Sequence, residues 1–174
     1  GKGSDSIRIV ANMLLECEIP SISFDFPGHI DSIQGTDKLK VDVCISYINS
    51  VVEYVKEEYG NSIKISFYAI SFGAYILLNK LIGDNSYYDN IPYAFYEDLV
   101  SHNLYDNYKE KRKILIIQGS LDDTAPIEDT YTFIQNKPEI ELIEINNIKH
   151  HMEPEEISLI TEIMIKKLDF KMCQ

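Results

Sequence analysis

Residues of three types that together catalyse acyl transfer each lie shortly after an apolar stretch of the chain: Ser71, the adjacent pair Asp122 and Asp123, and the adjacent pair His150 and His151. A serine hydroxyl is a poor nucleophile until an imidazole takes its proton, and a carboxylate must hold that imidazole in the correct tautomer and stabilise its charge. The chain order of serine, aspartate and histidine is also the order of one family of catalytic triads. The serine, one of the two aspartates and one of the two histidines are therefore candidates for the nucleophile, the orienting carboxylate and the general base of an acyl-transfer reaction.

The segment around Ser71 predicts a sharp turn between a strand and a helix. Its sequence is AISFG, with the small residues Ala69 and Gly73 two positions away from the serine on either side. This pattern fits a nucleophile elbow, in which the turn holds the serine in a strained backbone conformation and larger residues at the two flanking positions would clash. A serine that only caps the following helix gives the same pattern, so the motif alone leaves both interpretations open.

Alternating strand and helix periodicities surround the three candidates. Apolar or alternating stretches predict strands over residues 21–26, 63–70, 113–118 and 140–145. Apolar residues at helical spacing predict helices over residues 7–17, 38–59, 72–81, 127–135 and 154–168. The alternation predicts an α/β fold, a three-layer sandwich with a mostly parallel sheet and right-handed crossovers. Open α/β sheets bind ligands at the carboxyl ends of their strands, which is where the three candidates lie.

Composition narrows the class of protein further. The chain has 174 residues, of which 45% are hydrophobic, so it is long and apolar enough to form a single folded domain over residues 1–174. The formal net charge of −12 argues against nucleic acid or anionic lipid as the main partner. No apolar run approaches the ~20 residues of a membrane span. The three distant cysteines and the absence of a signal-peptide pattern predict a reducing compartment, the cytoplasm.

Three motifs resemble the α/β-hydrolase family, in particular its small serine esterases and serine-aminopeptidase-like hydrolases. Residues 25–32, DFPGHIDS, resemble the family's D-x-P-G-H-G-x-S turn after an early strand. Residues 119–126, GSLDDTAP, are similar to its G-x-x-D-x-x-V-P segment, and residues 147–150, NIKH, align with its G-A-D-H turn. The resemblance runs nearly from end to end of the chain and implies an α/β-hydrolase-like fold.

The resemblance also implies a role for each site residue. It places the triad acid at Asp122, with Asp123 as the alternative, and the base at His150, with His151 as the alternative. Ser71 is then the nucleophile that forms an acyl-enzyme. The implied reaction is hydrolysis of a carboxylic ester or related acyl bond in a small-molecule substrate, and thioesterases, peptidases and acyltransferases share the same constellation.

The oxyanion hole follows from the same resemblance, with the backbone N–H groups of Phe72 and Lys2 as the expected donors. No cofactor is implied. No metal site is expected at His150 and His151 either, because no cluster of Cys, His or Asp at ligand spacing accompanies the pair.

The chain departs from the family pattern in ways that favour an alternative. The strands that normally precede the oxyanion loop are missing, and the strand that normally follows the elbow helix is replaced by residues 83–111, which are polar and rich in tyrosine. We expect these residues to form a cap over Ser71, because a central parallel strand would be a nearly continuous aliphatic run. The predicted sheet is thus short of some strands, and the alternative function is a non-catalytic α/β-hydrolase-like binding domain or fragment.

Overall fold

The structure is a computed structural model that describes residues 3–28, 39–79 and 113–167. In chain order, its helices and strands are α1 (Asp5–Glu16), α2 (Val41–Tyr59), α3 (Phe72–Asn79), β1 (Ile114–Gly119), α4 (Ile127–Ile134), β2 (Ile140–Ile145) and α5 (Pro154–Lys167). Each of these elements was predicted from the sequence, with bounds that differ by a few residues at most.

The chain divides into two compact units. Unit 1 consists of Gly1–Phe24 and Lys111–Gln174, and unit 2 consists of Asp25–Glu110. Unit 1 therefore holds α1, β1, α4, β2 and α5, whereas unit 2 holds α2 and α3. The single domain over residues 1–174 stays a prediction.

The sheet of unit 1 pairs β1 with β2 in parallel. The register places Ile114 opposite Ile140 at one end and Gly119 opposite Ile145 at the other. Parallel neighbours cannot be joined by a tight hairpin, and here the connection between them contains α4. The ladder confirms that the sheet is parallel, and it brings the segments after β1 and β2 to the same edge.

The core of unit 1 consists of apolar side chains from its three helices, from β2 and from the segment after β2. The buried hydrophobic residues are Val10, Leu14, Ile127, Phe133, Ile140, Ile148, Ile157, Ile160, Met164 and Ile165. Full burial of such a side chain stabilises the fold by roughly 1.5–3 kcal/mol. The pairing of α1 with α5 is one of the main helix contacts of this unit.

Helix α5 follows from local sequence signals at both ends. It begins at Pro154, whose fixed φ suits a first helical position, and Glu155 lies in its first turn. Lys166 and Lys167 lie in its last turn, so charges of both signs complement the helix dipole. Inside the helix, the fully buried Thr161 donates its hydroxyl to the carbonyl oxygen of Ile157 at 2.7 Å, which satisfies that polar group.

Unit 2 is built from α2 and α3, which pack against each other. Helix α2 buries one face through Val41, Cys44 and Ile48, at the helical spacing seen in the sequence. Ile76 of α3 is also fully buried. The thiol of Cys44 behaves as a small apolar core group.

Residues 21–26 and 63–70 are not strands in the structure, so the prediction of strands there is wrong. Within the described residues, the sheet has two strands, β1 and β2. A strand requires a hydrogen-bonded neighbour, and neither alternation nor β-propensity supplies one. Burial does not favour a ladder here either, since Ile22, Ile63 and Phe67 are each more than a third exposed.

Two of the predictions made from the sequence concern residues outside the described ranges. The cap predicted over residues 83–111 and the oxyanion donor predicted at Lys2 lie outside the described residues. In the part of the chain that is described, no helix combines the length and the apolar character needed to cross a membrane.

Candidate active site

The Asp122 side chain lies in the turn that follows β1. One oxygen of its carboxylate, Oδ1, accepts the backbone N–H of Thr124 at 3.0 Å and that of Ala125 at 2.8 Å. A short acidic side chain commonly closes a turn in this way, by bonding to the backbone two or three residues further on. The side chain is 10% exposed, so the turn holds the carboxylate in one orientation and largely away from water.

The imidazole of His150 lies against the carboxylate of Asp122. Its Nδ1 atom is 3.0 Å from Oδ2 and 3.1 Å from Oδ1, and the histidine side chain is 14% exposed. An ionised carboxylate can only accept, so Nδ1 is the nitrogen that carries the proton and donates it. In the neutral ring, Nε2 is then the nitrogen that carries the lone pair, and a nitrogen of this kind can take a proton from a substrate or a nucleophile.

Hydrogen bonds between the segments after β1 and β2 hold the pair together. The N–H of Leu121 donates to the carbonyl oxygen of Ile148 at 3.0 Å, and the N–H of Ser120 donates to that of Ile145 at 2.9 Å. In the opposite direction, the N–H of Asn147 donates to Oγ of Ser120 at 2.9 Å. These three bonds fix the position of one segment relative to the other, and with it the distance between the carboxylate and the imidazole.

Gly119 allows the two segments to approach this closely. A Cβ atom at position 119 would lie 2.1 Å from the carbonyl oxygen of Ile148 and 2.6 Å from its carbonyl carbon. Both are backbone atoms, so no side-chain rotation could relieve the overlap. Asn147 beside it has a φ of 65°, a left-handed conformation in which asparagine is more common than other non-glycine residues. The close approach thus depends on the residue types at both positions.

A second layer of contacts supports the turn that carries Asp122. The side-chain amide of Gln118 donates from Nε2 to the carbonyl oxygen of Ala125 at 2.5 Å. The oxygen of the same amide, Oε1, accepts the hydroxyl of Thr130 on α4 at 2.5 Å. The sequence analysis missed Gln118, Thr130 and Ser120; the available signal was a glutamine at the end of an otherwise apolar strand.

Ser71 lies in unit 2, in the turn directly before α3. The φ angle of Ser71 is 50°, so this residue lies in the left-handed region although it has a Cβ atom. That conformation costs roughly 1–2 kcal/mol. The side chain is exposed. The N–H of Gly73 donates to the carbonyl oxygen of Ile70 at 2.9 Å, which closes the turn around the serine. This is the backbone conformation expected of a nucleophile elbow.

Phe72 follows the serine as the first residue of α3. Its ring meets that of Phe26 edge to face, with 6.0 Å between the ring centres. Backbone N–H groups in the first turn of a helix can bind an anion, and the N–H of Phe72 lies in this turn.

The flanking positions of the serine turn are less crowded than the sequence suggests. A Cβ atom added at Gly73 would lie 3.8 Å from the Cβ of Ala69, an ordinary van der Waals contact. A methyl group at position 73 therefore meets no clash among the described residues, and the expected clash with larger side chains at positions 69 and 73 stays a prediction.

Tyr68 precedes the serine turn and is half-buried. Burial raises the pKa of its hydroxyl from 10.0 to about 12. The phenol is therefore neutral over the whole physiological pH range and contributes no charge next to the turn.

The alternatives Asp123 and His151 are both exposed. The ring of His151 meets that of His150 edge to face, with 5.6 Å between the ring centres. The structure brings Asp122 and His150 together within unit 1 and places Ser71 and Phe72 in unit 2.

No family model and no curated protein matches the sequence. Solved structures do match. A structure of Est1E from Butyrivibrio proteoclasticus with bound ferulic acid has a TM-score of 0.74 at 16% identity, over 97% of this chain and 85% of the other. An alpha-beta serine hydrolase homologue from Coxiella burnetii has a TM-score of 0.69 at 20% identity, over 96% of this chain and 77% of the other. This chain has the α/β-hydrolase fold.

The α/β-hydrolase fold expected from the three motifs is thus confirmed over nearly the whole length of the chain. At identities of 16% and 20%, the likeness extends to the fold. In this α/β-hydrolase fold, Asp122 and His150 follow two neighbouring parallel strands. Their catalytic roles stay predictions.

Proposed function

We propose that the protein is a serine hydrolase that cleaves a carboxylic ester or a related acyl bond in a small-molecule substrate. The observation that carries this proposal is the pair of Asp122 and His150, in which a largely buried carboxylate faces Nδ1 of the imidazole at 3.0 Å. A carboxylate in that place holds the ring in the tautomer that leaves Nε2 as a base. The strained backbone of Ser71 is the second support, since its φ is 50°.

In the proposed reaction, Oγ of Ser71 attacks the carbonyl carbon of the substrate while Nε2 of His150 takes the hydroxyl proton. Collapse of the tetrahedral intermediate breaks the acyl bond, and His150 returns the proton to the leaving group. Water then attacks the acyl-enzyme by the same route and releases the carboxylic acid. Asp122 remains ionised throughout and stabilises the imidazolium.

The oxyanion of each tetrahedral intermediate requires hydrogen-bond donors, for which we propose the backbone N–H groups of Phe72 and Lys2. The reaction also requires Oγ of Ser71 to come within hydrogen-bonding distance of Nε2 of His150.

The ferulic acid in the Est1E structure is a carboxylic acid, the class of product that ester hydrolysis releases. The cytoplasmic location stays a prediction.

An experiment with a serine-directed fluorophosphonate probe separates an active hydrolase from a non-catalytic binding domain of the same fold. We expect the probe to label the full chain, mass spectrometry to place the label on Ser71, and short-chain aryl esters to be hydrolysed. The Ser71→Ala variant should lose the label and at least about 10³-fold in kcat.

Ser46→Ala is the matched control. Ser46 is an exposed serine in the same unit, on α2, and its hydroxyl donates to the carbonyl oxygen of Val43 within the helix. This variant should keep both the label and the turnover. No labelling of the wild type would favour the binding domain. Equal labelling of the wild type and Ser71→Ala would show that the probe reacts at another residue, and it would refute Ser71 as the nucleophile.

A further inference from the structure

Gln118 uses both ends of its side-chain amide to join three segments of unit 1. The residue lies in β1 and is partly buried. Nε2 donates to the carbonyl oxygen of Ala125 in the turn after the strand, and Oε1 accepts the hydroxyl of Thr130 on α4, both at 2.5 Å. An amide offers donors on one side and an acceptor on the other, so these two bonds fix which way the side chain faces.

The contacts of Gln118 lead directly to the carboxylate that faces the imidazole. Ala125 accepts from Gln118 with its carbonyl oxygen and donates its own N–H to Oδ1 of Asp122 at 2.8 Å. The carbonyl and the N–H flank the same Cα atom, so an anchor on one restricts the direction of the other. Oδ1 in turn lies 3.1 Å from Nδ1 of His150.

We propose that Gln118 and Thr130 are positioning residues that set the orientation of the Asp122 carboxylate, and through it the tautomer of His150. This inference rests on the proposed function for its consequence in catalysis, but the tautomer of the ring is a property of the free protein. The hydrogen bonds of the two side chains described above go to Ala125 and to each other, not to the imidazole. They act by restricting the turn between them and Asp122.

Substitutions of Thr130 can remove its hydrogen bond to Gln118 with little change in side-chain volume. Thr130→Val keeps the shape of the side chain and removes the hydroxyl that orients the amide, whereas Thr130→Ser keeps the hydroxyl. Gln118→Leu removes both amide contacts at similar volume. Thr132→Val is the matched control, because Thr132 lies on the same helix, is exposed, and donates its hydroxyl to the carbonyl oxygen of Glu128 within the helix.

The direct measurement is a long-range ¹H–¹⁵N NMR spectrum of the full chain, which reports the fraction of neutral His150 that carries its proton on Nδ1. We expect the wild type, Thr132→Val and Thr130→Ser to hold the ring in the Nδ1–H form. Asp122→Asn should shift it toward the Nε2–H form. Thr130→Val and Gln118→Leu should give an intermediate population, because the carboxylate remains but is less well oriented.

Ester hydrolysis supplies the second readout. We expect Thr130→Val and Gln118→Leu to lower kcat by about 10- to 100-fold with KM nearly unchanged, since misplacement of a catalytic group by an ångström can cost that much. Thr130→Ser should restore the wild-type kcat. A protein with no esterase activity would refute the proposed function alone, because the NMR measurement would still test the positioning role.

The positioning role would be overturned if Thr130→Val and Gln118→Leu both kept the wild-type tautomer population. It would also be overturned if both variants lowered only the melting temperature, which is the result expected of a purely structural contact. Because Thr130→Val changes so little volume, it provides the test even if Gln118→Leu fails to fold.

Discussion

The turn after β1 and the turn before α3 both carry candidate catalytic side chains, and they are built in different ways. The turn after β1 is tied to the segment after β2 by crossing hydrogen bonds and by a close approach at Gly119. The turn before α3 is less crowded at Gly73, and its distinctive feature is the left-handed backbone of Ser71.

The difference follows from what each side chain must do. In the proposed function, Asp122 and His150 act as a pair. The distance between two separate segments then has to be fixed, and crowding with crossing hydrogen bonds achieves this. A nucleophile has to present one hydroxyl, for which the backbone conformation of a single residue is enough. We therefore expect substitutions to disturb the first turn through packing and the second through backbone conformation.

The largest expected effect concerns the carboxylate of the crowded turn. Asp122→Asn should lower kcat for aryl ester hydrolysis by about 10³–10⁴-fold, because an amide can hold the imidazole in the wrong tautomer. Asp123→Asn is the control in the neighbouring exposed position and should change kcat by less than about threefold. Steady-state kinetics on the two variants would test this, and the reverse ranking would move the acid to Asp123.

The second-largest expected effect is a difference in stability between alanine substitutions at Gly119 and at Gly73. Gly119→Ala should destabilise the protein by about 3 kcal/mol, since the new methyl group meets backbone atoms that cannot move aside. Gly73→Ala should cost less than about 1 kcal/mol, because the added carbon makes an ordinary contact and alanine favours a helix. Urea unfolding of both variants measures the two free energies of unfolding. Equal losses would contradict the comparison between the turns.

A smaller effect of opposite sign is expected at Ser71. Ser71→Gly should abolish hydrolysis and raise the free energy of unfolding by about 0.5–1 kcal/mol relative to Ser71→Ala. Glycine occupies the left-handed region freely, and this gain exceeds the larger entropy that glycine loses on folding. Both variants lack the hydroxyl, so the difference between them reports the backbone alone. A glycine variant less stable than the alanine variant would show that the turn is unstrained.

The smallest effect is confined to alkaline pH. The pKa of Tyr68 is raised from 10.0 to about 12 by burial, so its contribution to stability is full below pH 10 and is lost as the pH rises through 12. Tyr68→Phe cannot ionise and should lose less stability over that range than the wild type. Urea unfolding of both proteins at pH 9 and pH 11.5 measures how much the free energy of unfolding of each falls over this range. An equal fall in the wild type and in Tyr68→Phe would mean that the phenol is exposed to water in the folded protein and has its ordinary pKa.

The sequence predicted the elements whose signals are local. The helices repeat apolar residues at helical spacing, and α5 carries Pro154 at its start and lysines in its last turn. The motif around residues 119–126 aligns the acid with Asp122, and in the structure the carboxylate of Asp122 faces His150. The turn that binds Oδ1 is local, whereas the catalytic role of the residue stays a prediction.

Features that depend on distant partners were not predictable in the same way. Residues 21–26 and 63–70 have the composition of strands, but a ladder requires a neighbour that lies elsewhere in the chain. Gln118 was missed for the same reason, since its partner Thr130 is on another element and nothing in the sequence pairs the two residues. Local patterns identify the groups that can do chemistry, whereas tertiary contacts determine how firmly those groups are held.

Gly119 has a consequence for how related sequences are compared. A descendant of this chain that had lost all catalytic activity would still be under selection for glycine at this position, because any side chain there would meet the carbonyl group of Ile148. The first residue of the G-x-x-D motif therefore meets a requirement of folding, whereas the proposed function assigns the chemistry to its fourth residue. If the proposed function holds, the residues at positions 122 and 150 are the informative ones in a search for active relatives, and we expect a glycine at 119 whether or not a relative is active.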